Sequence, residues 1–431
     1  MVPRHRNRSD GHVINAKALS PRRLVPADRL LRLLATSTLI NTFGNGLLFT
    51  LSALYFTRIV GLSVAQVGLG LTIAGGFGVL AGVPAGQLAD RIGPHRLLIV
   101  LVLVESVGTI TYTVIDSFGS FLVIVGLTTM ADRASGAVRN ALYAVIIDPA
   151  SRTPTRAYLR AITNVGIGAG SAAAGIALQA DTKAAYITLI LVDAATFIGA
   201  ALPLLKLPTA PAGAQHRREQ ETPRRNRALT DSPYLVMTGL NAILYLQFGL
   251  IEVGLPLWIV GHTHAPRAMV AVTLVVNTIL CVVLQVRASR GVTSIPLAAR
   301  AARRGGLLLA ACCLIFAAAD GVAAAPAALI LLVGIAVQTL AEVLLSAAGW
   351  AMSYDLADPA QPGAYQGVFS SSYALAAMAA PFVATSTALR FGFAGWVALG
   401  ALFIAAGFAL TPVTRWASAR RTEQTAGQPV S

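Results

Sequence analysis

Apolar stretches of about twenty residues recur along the whole length of this chain, separated by short polar segments. A helix of that length spans the ~30 Å hydrocarbon core of a lipid bilayer. Only 12% of the 431 residues are charged, whereas soluble globular domains carry about 25%. A soluble protein of this length would therefore lack the charge to cover its surface. The pattern predicts an all-α protein that crosses a membrane many times.

Twelve apolar windows are long enough to be transmembrane helices, and they fall into two sets of six. The first six spans lie near residues 31–57, 65–89, 96–116, 119–147, 157–180 and 184–206. The last six lie near residues 233–259, 267–288, 303–320, 325–352, 363–389 and 394–414. Residues 207–232 between them are polar and basic and contain proline, so they cannot bury a core. We predict two six-helix bundles, residues 31–206 and 233–414, joined by a cytoplasmic linker.

The distribution of basic residues orients this arrangement. Most of the 33 Lys and Arg residues fall on the ends, the linker and alternate loops, and cytoplasmic loops carry an excess of these residues. Residues 1–30 and 415–431 are therefore predicted to be cytoplasmic tails. The first thirty residues lack the apolar region of a signal peptide. We expect a multi-pass monomer in the inner (plasma) membrane of a bacterium.

Several other classes of protein are disfavoured. The net charge of +15 would suggest nucleic-acid binding in a soluble protein, but membrane topology accounts for it here, so we expect no nucleic-acid partner. The three cysteines, Cys281, Cys312 and Cys313, lie in apolar runs, where packing is expected rather than a disulfide or a metal site. The H-E-x-x-H and G-x-S-x-G motifs are missing. We therefore expect neither an enzyme nor a resident metal or cofactor.

A charged turn, "GQLADRIGPHR", connects the second and third spans. Its pattern G-x-L-A-D-R-x-G-x-x-R resembles the signature loop of the major facilitator superfamily. With two six-span halves and a basic linker, the resemblance covers about residues 30–415. It implies a fold of two pseudo-symmetric bundles, with lipid as the surroundings and a small molecule and protons as ligands. It also implies a latch on the cytoplasmic side; the candidate gating residues are Gly86, Asp90, Arg91, Gly93, Arg96, Arg133 and Asp148.

Packing and electrostatics alone also predict that this turn contacts the other bundle. Gly86 follows Gly82 and Gly78 at four-residue intervals, which makes a smooth stripe where another helix can approach. Asp90 is placed to meet a helix N-terminus of the other bundle, a favourable contact between an anion and a helix dipole. Arg91 and Arg96 are predicted to pair with Asp148 at the end of span 4. The corresponding loop of the second half, residues 285–304, has no aspartate, so the latch is expected to be asymmetric.

Ionisable residues inside the spans indicate a polar pathway. Each costs ~2.5–3.5 kcal/mol on insertion scales and usually faces the bundle interior or water. The resemblance implies that spans 1, 4, 7 and 10 line a central cavity, and five of the seven ionisable residues lie on three of these spans: Asp132, Arg133, Arg139, Glu252 and Glu342. The other two, Glu105 and Asp193, are expected to be local structural partners.

Polar residues on the same four spans recur at helical spacing, so they share faces. The predicted substrate-cavity residues are Asn41 and Asn45 on span 1, Arg139 and Tyr143 on span 4, Asn241, Tyr245 and Phe248 on span 7, and Gln338 on span 10. Amide, aromatic and carboxylate groups among apolar walls suit an amphipathic organic molecule. The alternative is that such stripes only hold helices together, with Asp132 in a structural pair with Arg139 or Arg133.

Proton coupling is assigned to three of the acids. Low dielectric disfavours the charged form of a carboxyl group, so a buried acid can load and release a proton. Glu342 and Asp132 are the leading candidates, followed by Glu252. The energy source is then the proton gradient, without a cofactor.

The direction of transport is predicted from weaker resemblances. Residues 164–178 of span 5 are rich in glycine, as in the antiporters of the superfamily, but lack the proline of the antiporter motif. Segments of spans 1, 2 and 11 are similar to bacterial drug-efflux members. The resemblance implies a proton-coupled exporter of the multidrug type. An uptake symporter for a metabolite and a non-transporting membrane scaffold or receptor remain alternatives.

Overall fold

The computed structural model describes residues 28–178, 182–207 and 227–426, most of them in twelve long helices. In chain order the helices are α1 (Arg29–Leu54), α2 (Val64–Ile92), α3 (Pro94–Thr111), α4 (Phe118–Ile146), α5 (Arg152–Ala177), α6 (Lys183–Leu205), α7 (Ser232–His262), α8 (Met269–Ser289), α9 (Ile295–Ala317), α10 (Ala324–Asp355), α11 (Pro362–Ser386) and α12 (Phe393–Ala426). Each helix coincides with one predicted span, so the all-α, twelve-helix prediction is confirmed. Most of the predicted N-terminal tail and central linker, and the last five residues, lie outside the described residues.

Three helices extend beyond the predicted spans. α5 begins at Arg152 rather than near 157, α9 begins at Ile295 rather than near 303, and α12 continues to Ala426 rather than ending near 414. A hydropathy window detects only the apolar part of a helix, whereas backbone hydrogen bonding continues through charged residues beyond the hydrocarbon core. The predicted C-terminal tail is therefore helical for most of its length.

Local sequence explains where several helices start and bend. The Asp28 side chain accepts hydrogen bonds from the backbone N–H groups of Leu30 and Leu31 at the start of α1. Ser63 and Gln66 form a reciprocal capping box at the start of α2. A π-helical turn, Tyr55–Ile59, prolongs α1, and a second one, Leu250–Gly254, interrupts α7. α1 and α7 are the first helices of the two halves, so this irregularity is shared by both.

The packing of the helices repeats after six. In the first half α1 packs on α5 and α6, α2 packs on α4, and α3 packs on α4 and α6. In the second half α7 packs on α11 and α12, α8 packs on α10, and α9 packs on α10 and α12. Between the halves, α2 meets α11 and α8 meets α5, which are again related by a shift of six. The described part of the chain is thus two similar bundles with a pseudo-two-fold relation.

The outer surface is that of a membrane protein. Among the described residues, nine of the helices are long and apolar enough to cross a bilayer; α1, α5 and α9 are not among them. Large apolar side chains such as Phe49, Ile176 and Phe382 are more than two-thirds exposed, as expected where lipid replaces water. We call the end that carries the start of α1 and the α2–α3 and α10–α11 turns the tail face, and the opposite end the far face.

Candidate functional site

Asp90 joins the two halves at the tail face. Its Oδ1 accepts a hydrogen bond from the backbone N–H of Gly363 at 2.8 Å, and its Oδ2 accepts one from Ala364 at 2.9 Å. Both N–H groups lie in the first turn of α11, where helical N–H groups have no intrahelical acceptor. The side chain of Gln361, the residue at the N-cap, does not cap the helix. Asp90 therefore caps α11 from the other half, the contact expected from the sequence.

Glycines allow α2 and α11 to approach this closely. A Cβ on Gly86 would collide with the carbonyl oxygen of Gly363, and a Cβ on Gly82 would lie 3.1 Å from that of Gly367. Gly78 does not belong to this crossing, because a Cβ there would lie 2.8 Å from Cγ of Arg133 on α4. Two of the three glycines in the predicted stripe, Gly82 and Gly86, therefore lie at the interface between the halves.

The basic residues of the same turn do not form the predicted pairs. Arg91 and Arg96 are exposed, and no ion pair joins either of them to Asp148 among the described residues. Asp148 instead accepts a hydrogen bond from the N–H of Ala150 at 2.8 Å within its own turn. Arg91 follows Asp90 and so points about 100° away around α2. Gly93 adopts φ +91° between α2 and α3, a backbone conformation that favours glycine.

The contacts of α4 and α5 with α10 near the tail face use different chemistry. The guanidinium group of Arg152 lies 5.5 Å from the ring centroid of Tyr354 on α10, and the Tyr354 hydroxyl donates to the carbonyl of Asn140 at 3.4 Å. No aspartate is present in residues 285–304 of the second half. The contacts between the halves are therefore asymmetric, as the sequence suggested.

A cavity of about 340 Å³ lies between the halves, and we call it the central cavity. Its walls come from α1, α2, α4 and α5 of the first half and from α7, α10 and α11 of the second. A second cavity of about 430 Å³, the side cavity, adjoins it and shares Asn45, Asp132, Arg133 and Ala374. The expectation of four lining helices was too narrow, because α2, α5 and α11 also contribute. Arg133, predicted to act in gating, lies in the cavity wall rather than at the tail face.

Five of the eight predicted cavity residues line the central cavity: Asn45, Arg139, Tyr143, Tyr245 and Phe248. The other three are amides buried behind the wall and hydrogen-bonded there. Asn41 accepts from Arg139 at 2.7 Å, Asn241 donates to Ser372 at 3.1 Å, and Gln338 donates to Gln247 at 3.2 Å. For these three the prediction of direct lining was wrong, because helix packing turns them toward neighbouring helices.

Glu342 is the centre of a buried polar cluster. Its Oε2 accepts a hydrogen bond from Asn277 on α8 at 3.1 Å. Nη2 of Arg160, on α5 of the first half, lies 3.8 Å from its Oε1. Among the described residues, no other ion pair within the helical core joins the first half to the second. The predicted acid is thus placed where a change in its charge affects the contact between the halves.

The other two candidate acids have different surroundings. Asp132 is half-exposed to both cavities, and its Oδ2 lies 3.7 Å from Nε of Arg133. Of the two arginines in the alternative, Asp132 pairs with Arg133 and not with Arg139, and both side chains of this pair are partly exposed, so the pair is not a buried one. Glu252 lies within the π-helical turn of α7, is exposed, and does not line the central cavity. The π turn breaks the regular helical spacing on which the shared face of Tyr245, Phe248 and Glu252 was predicted.

Glu105 and Asp193 are buried inside the first half. Glu105 accepts a short hydrogen bond from Ser135 on α4 and borders the side cavity. Asp193 on α6 packs against Gly44 of α1, where a Cβ would collide with its Oδ1. Glu105 lies within electrostatic range of Asp132, Arg139 and Asp193. Glu105 thus has a partner on the neighbouring helix α4, in keeping with the local structural role expected of it.

Sequence reasoning missed two arginines of the cavity wall. Arg156 and Arg160, on α5, both line the central cavity. Arg156 lies just before the predicted start of span 5 and Arg160 lies in its first turn, so a hydropathy window treats them as loop or helix end. The signal was present in "SRTPTRAYLRAI", where arginines recur at four-residue intervals.

Comparison with known proteins agrees with this architecture. A family model described as Major Facilitator Superfamily matches residues 34–381. The structure of the human organic anion transporter MFSD10 (TETRAN) superposes with a TM-score of 0.66 at 16% identity, covering 89% of this chain and 99% of that one. A bacterial homologue of the iron transporter ferroportin in an outward-facing state gives a TM-score of 0.68 at 14% identity, covering 90% and 99%.

The E. coli fucose:proton symporter gives a TM-score of 0.63 at 15% identity, covering 90% of this chain and 98% of that one. At such low identities these structures show the fold alone. A sequence comparison with curated proteins gave no match.

Proposed function

Since the chain belongs to the major facilitator superfamily, we propose that it is a secondary active transporter that uses the proton gradient to export small amphipathic organic compounds. The observation that carries this proposal is the central cavity, which lies between two bundles that meet at the tail face. Rocking of the bundles would open the cavity first to one face and then to the other. In this scheme the protein lies in the inner membrane of a bacterium, with the tail face in the cytoplasm.

The contact of Asp90 with α11 supports a latch at the tail face. It is made between halves, by a charged group and two backbone N–H groups, so it exists only while α2 and α11 are together. Water replaces these bonds when the helices separate, which keeps the energy difference between the two states small enough for cycling. The structure as described then corresponds to the state in which the cytoplasmic side is closed.

Proton coupling is proposed for Glu342 first, then Asp132 and Glu252. Glu342 is supported by its ion pair with Arg160 of the other half, because protonation would remove an attraction between the halves. Asp132 is supported by its position in the wall of both cavities. Glu252 lies within electrostatic range of Arg160 and Glu342.

The test is flux in vesicles that contain the purified protein and an imposed pH gradient. Glu342→Gln is expected to abolish proton-driven flux while the protein stays in the membrane. Asp320→Asn, an exposed acid in the α9–α10 turn, is the control and should keep full flux. If the Glu342→Gln, Asp132→Asn and Glu252→Gln variants all retain full proton-driven flux, the assignment is wrong.

A proton-coupled uptake symporter is the second candidate. Support for export from the glycine-rich α5 is weakened by its packing on α1. A Cβ on Gly166 would collide with the Thr42 side chain and one on Gly170 with the Phe43 carbonyl, so close packing accounts for these glycines. The same acids serve transport in either direction. The direction of substrate movement relative to the proton gradient in the vesicles separates the two candidates.

A further inference from the structure

The wall of the central cavity carries a large excess of positive charge. Four arginines line it, Arg133 and Arg139 from α4 and Arg156 and Arg160 from α5. Asp132 is the single acidic residue among the described residues of this wall. All four arginines come from the first half, so one side of the cavity is basic. Such a concentration of like charge in a partly desolvated site is costly unless an anion compensates it.

None of the four arginines forms a close, hydrogen-bonded ion pair within the part of the chain that the structure describes. Arg139 donates to an amide oxygen, that of Asn41; Glu105 lies within electrostatic range of it, but no ion pair joins the two among the described residues. Arg133 lies 3.7 Å from Asp132, which is the neighbouring residue and half-exposed. Arg160 approaches Glu342 only to 3.8 Å, longer than the 2.7–2.9 Å of a charge-assisted hydrogen bond between nitrogen and oxygen.

Arg156 is the most informative of the four. Its Nε is buried and has no hydrogen-bond partner, and no ion pair involves it among the described residues. Its guanidinium group lies 5.0 Å from the ring centroid of Tyr143 and 5.4 Å from that of Trp350. These rings hold the group in place without neutralising it. Arg160 is one turn further along α5, so both side chains lie on the same helix face.

The opposite wall of the cavity is aromatic. Phe248 of α7, Trp350 of α10 and Tyr373 of α11 belong to the second half and line the cavity. The guanidinium groups of Arg160 and Arg133 lie 5.7 Å and 5.5 Å from the rings of Phe248 and Tyr373. The cavity is thus polarised, with cations on one side and aromatic rings on the other.

We propose that the central cavity selects small aromatic organic anions, whose carboxylate or sulfonate group binds between Arg156 and Arg160. The aromatic body of the ligand packs against the rings of the second half. This inference rests on the proposed function in one respect, since it takes the ligand of the cavity to be the transported substrate. It narrows the proposed substrate class from amphipathic compounds of any charge to anionic ones.

The test uses three probes with one aromatic body and different charges: 2-naphthoate, 2-naphthamide and 2-naphthylmethylammonium. Binding to the purified full-length protein in detergent is measured by calorimetry. We expect 2-naphthoate to bind at least tenfold more tightly than the other two. Arg156→Gln should weaken 2-naphthoate binding about tenfold or more, the usual effect of removing a hydrogen bond to a charged group. Arg156→Lys should have an intermediate effect.

The matched control is Arg303→Gln. Arg303 also lies over an aromatic ring, that of Phe408 at 5.5 Å, but it is exposed on α9 and does not line the cavity. The Arg303→Gln variant should bind 2-naphthoate as tightly as the unchanged protein does. If Arg156→Gln does not fold, Arg160→Gln provides the same comparison. Binding of none of the probes, equal or tighter binding of the cation, or an equal loss in Arg303→Gln would overturn the inference.

The two proposals fail in different ways. Proton-driven flux of 2-naphthylmethylammonium without flux of 2-naphthoate would overturn the anion inference and leave proton-coupled transport intact. Tight binding of 2-naphthoate without flux under any imposed gradient would support the anion site and contradict the transport function.

Discussion

Replacing Asp90 with asparagine should open the tail face. The change removes the negative charge of the carboxylate, whose two oxygens accept hydrogen bonds from the backbone N–H groups of Gly363 and Ala364 at 2.8 and 2.9 Å. Hydrogen bonds to charged groups contribute about 1.5–3 kcal/mol each, but Asp90 is half-exposed and water replaces the bonds in the open state. An asparagine oxygen also retains part of the interaction. We therefore expect a loss of about 2 kcal/mol from the closed state, a roughly thirtyfold change in the ratio of closed to open molecules.

The assay is the distance between spin labels on introduced cysteines at Ile92, at the exposed end of α2, and Pro359, in the turn before α11. The three native cysteines are buried and unpaired, so they compete little for the label. The Asp90→Asn variant should show a larger population at long distance than the parent protein.

Asp148→Asn is the matched control for this experiment. Asp148 also accepts a backbone N–H group close to the tail face, but that of Ala150 in its own turn, so the distances should not change. An unchanged distance distribution in Asp90→Asn, or an equal shift in both variants, would refute the reasoning.

Three further changes test other parts of the structure. Gly86→Val places side-chain carbons against the Gly363 carbonyl, so it should widen the same spin-label distances; unchanged distances would mean that the helices do not cross there. Gly93→Ala puts a Cβ at φ +91° and should destabilise the protein by about 1–2 kcal/mol, seen as a lower unfolding temperature. Asn241→Ala removes the hydrogen bond to Ser372 behind the cavity wall and should cost about 0.6 kcal/mol of stability while KM for the substrate stays within about twofold. A much larger change in KM would place Asn241 in contact with substrate.

Part of the site could be predicted because its determinants are local. The contact of Asp90 follows from one short motif together with the general need of a helix N-terminus for an acceptor. Asp132 and Glu342 could be singled out because a charge inside an apolar span is exceptional wherever the span packs. Tyr143, Tyr245 and Phe248 lie on the predicted faces because helical spacing is regular in these parts of α4 and α7.

Other parts of the site depended on packing. Gln338 and Tyr245 both lie on predicted inner faces, yet one is buried behind the cavity and the other lines it. Glu252 lies in a π turn that no hydropathy pattern indicates, and it does not line the central cavity. Arg156 and Arg160 line the wall from the charged first turns of α5, which begins before its apolar part.

The sequence by itself determined the number, type and order of the helices, because a bilayer requires each segment that crosses it to be apolar and to satisfy its own backbone hydrogen bonds. It also determined that Asp90 in the charged turn contacts a helix N-terminus of the other bundle. Only the tertiary structure decided which polar side chains meet in the cavity and that one wall of it is basic and the other aromatic. Helical spacing fixes which residues share a face, but the depth and rotation of that face are set by contacts with helices that are distant in the chain.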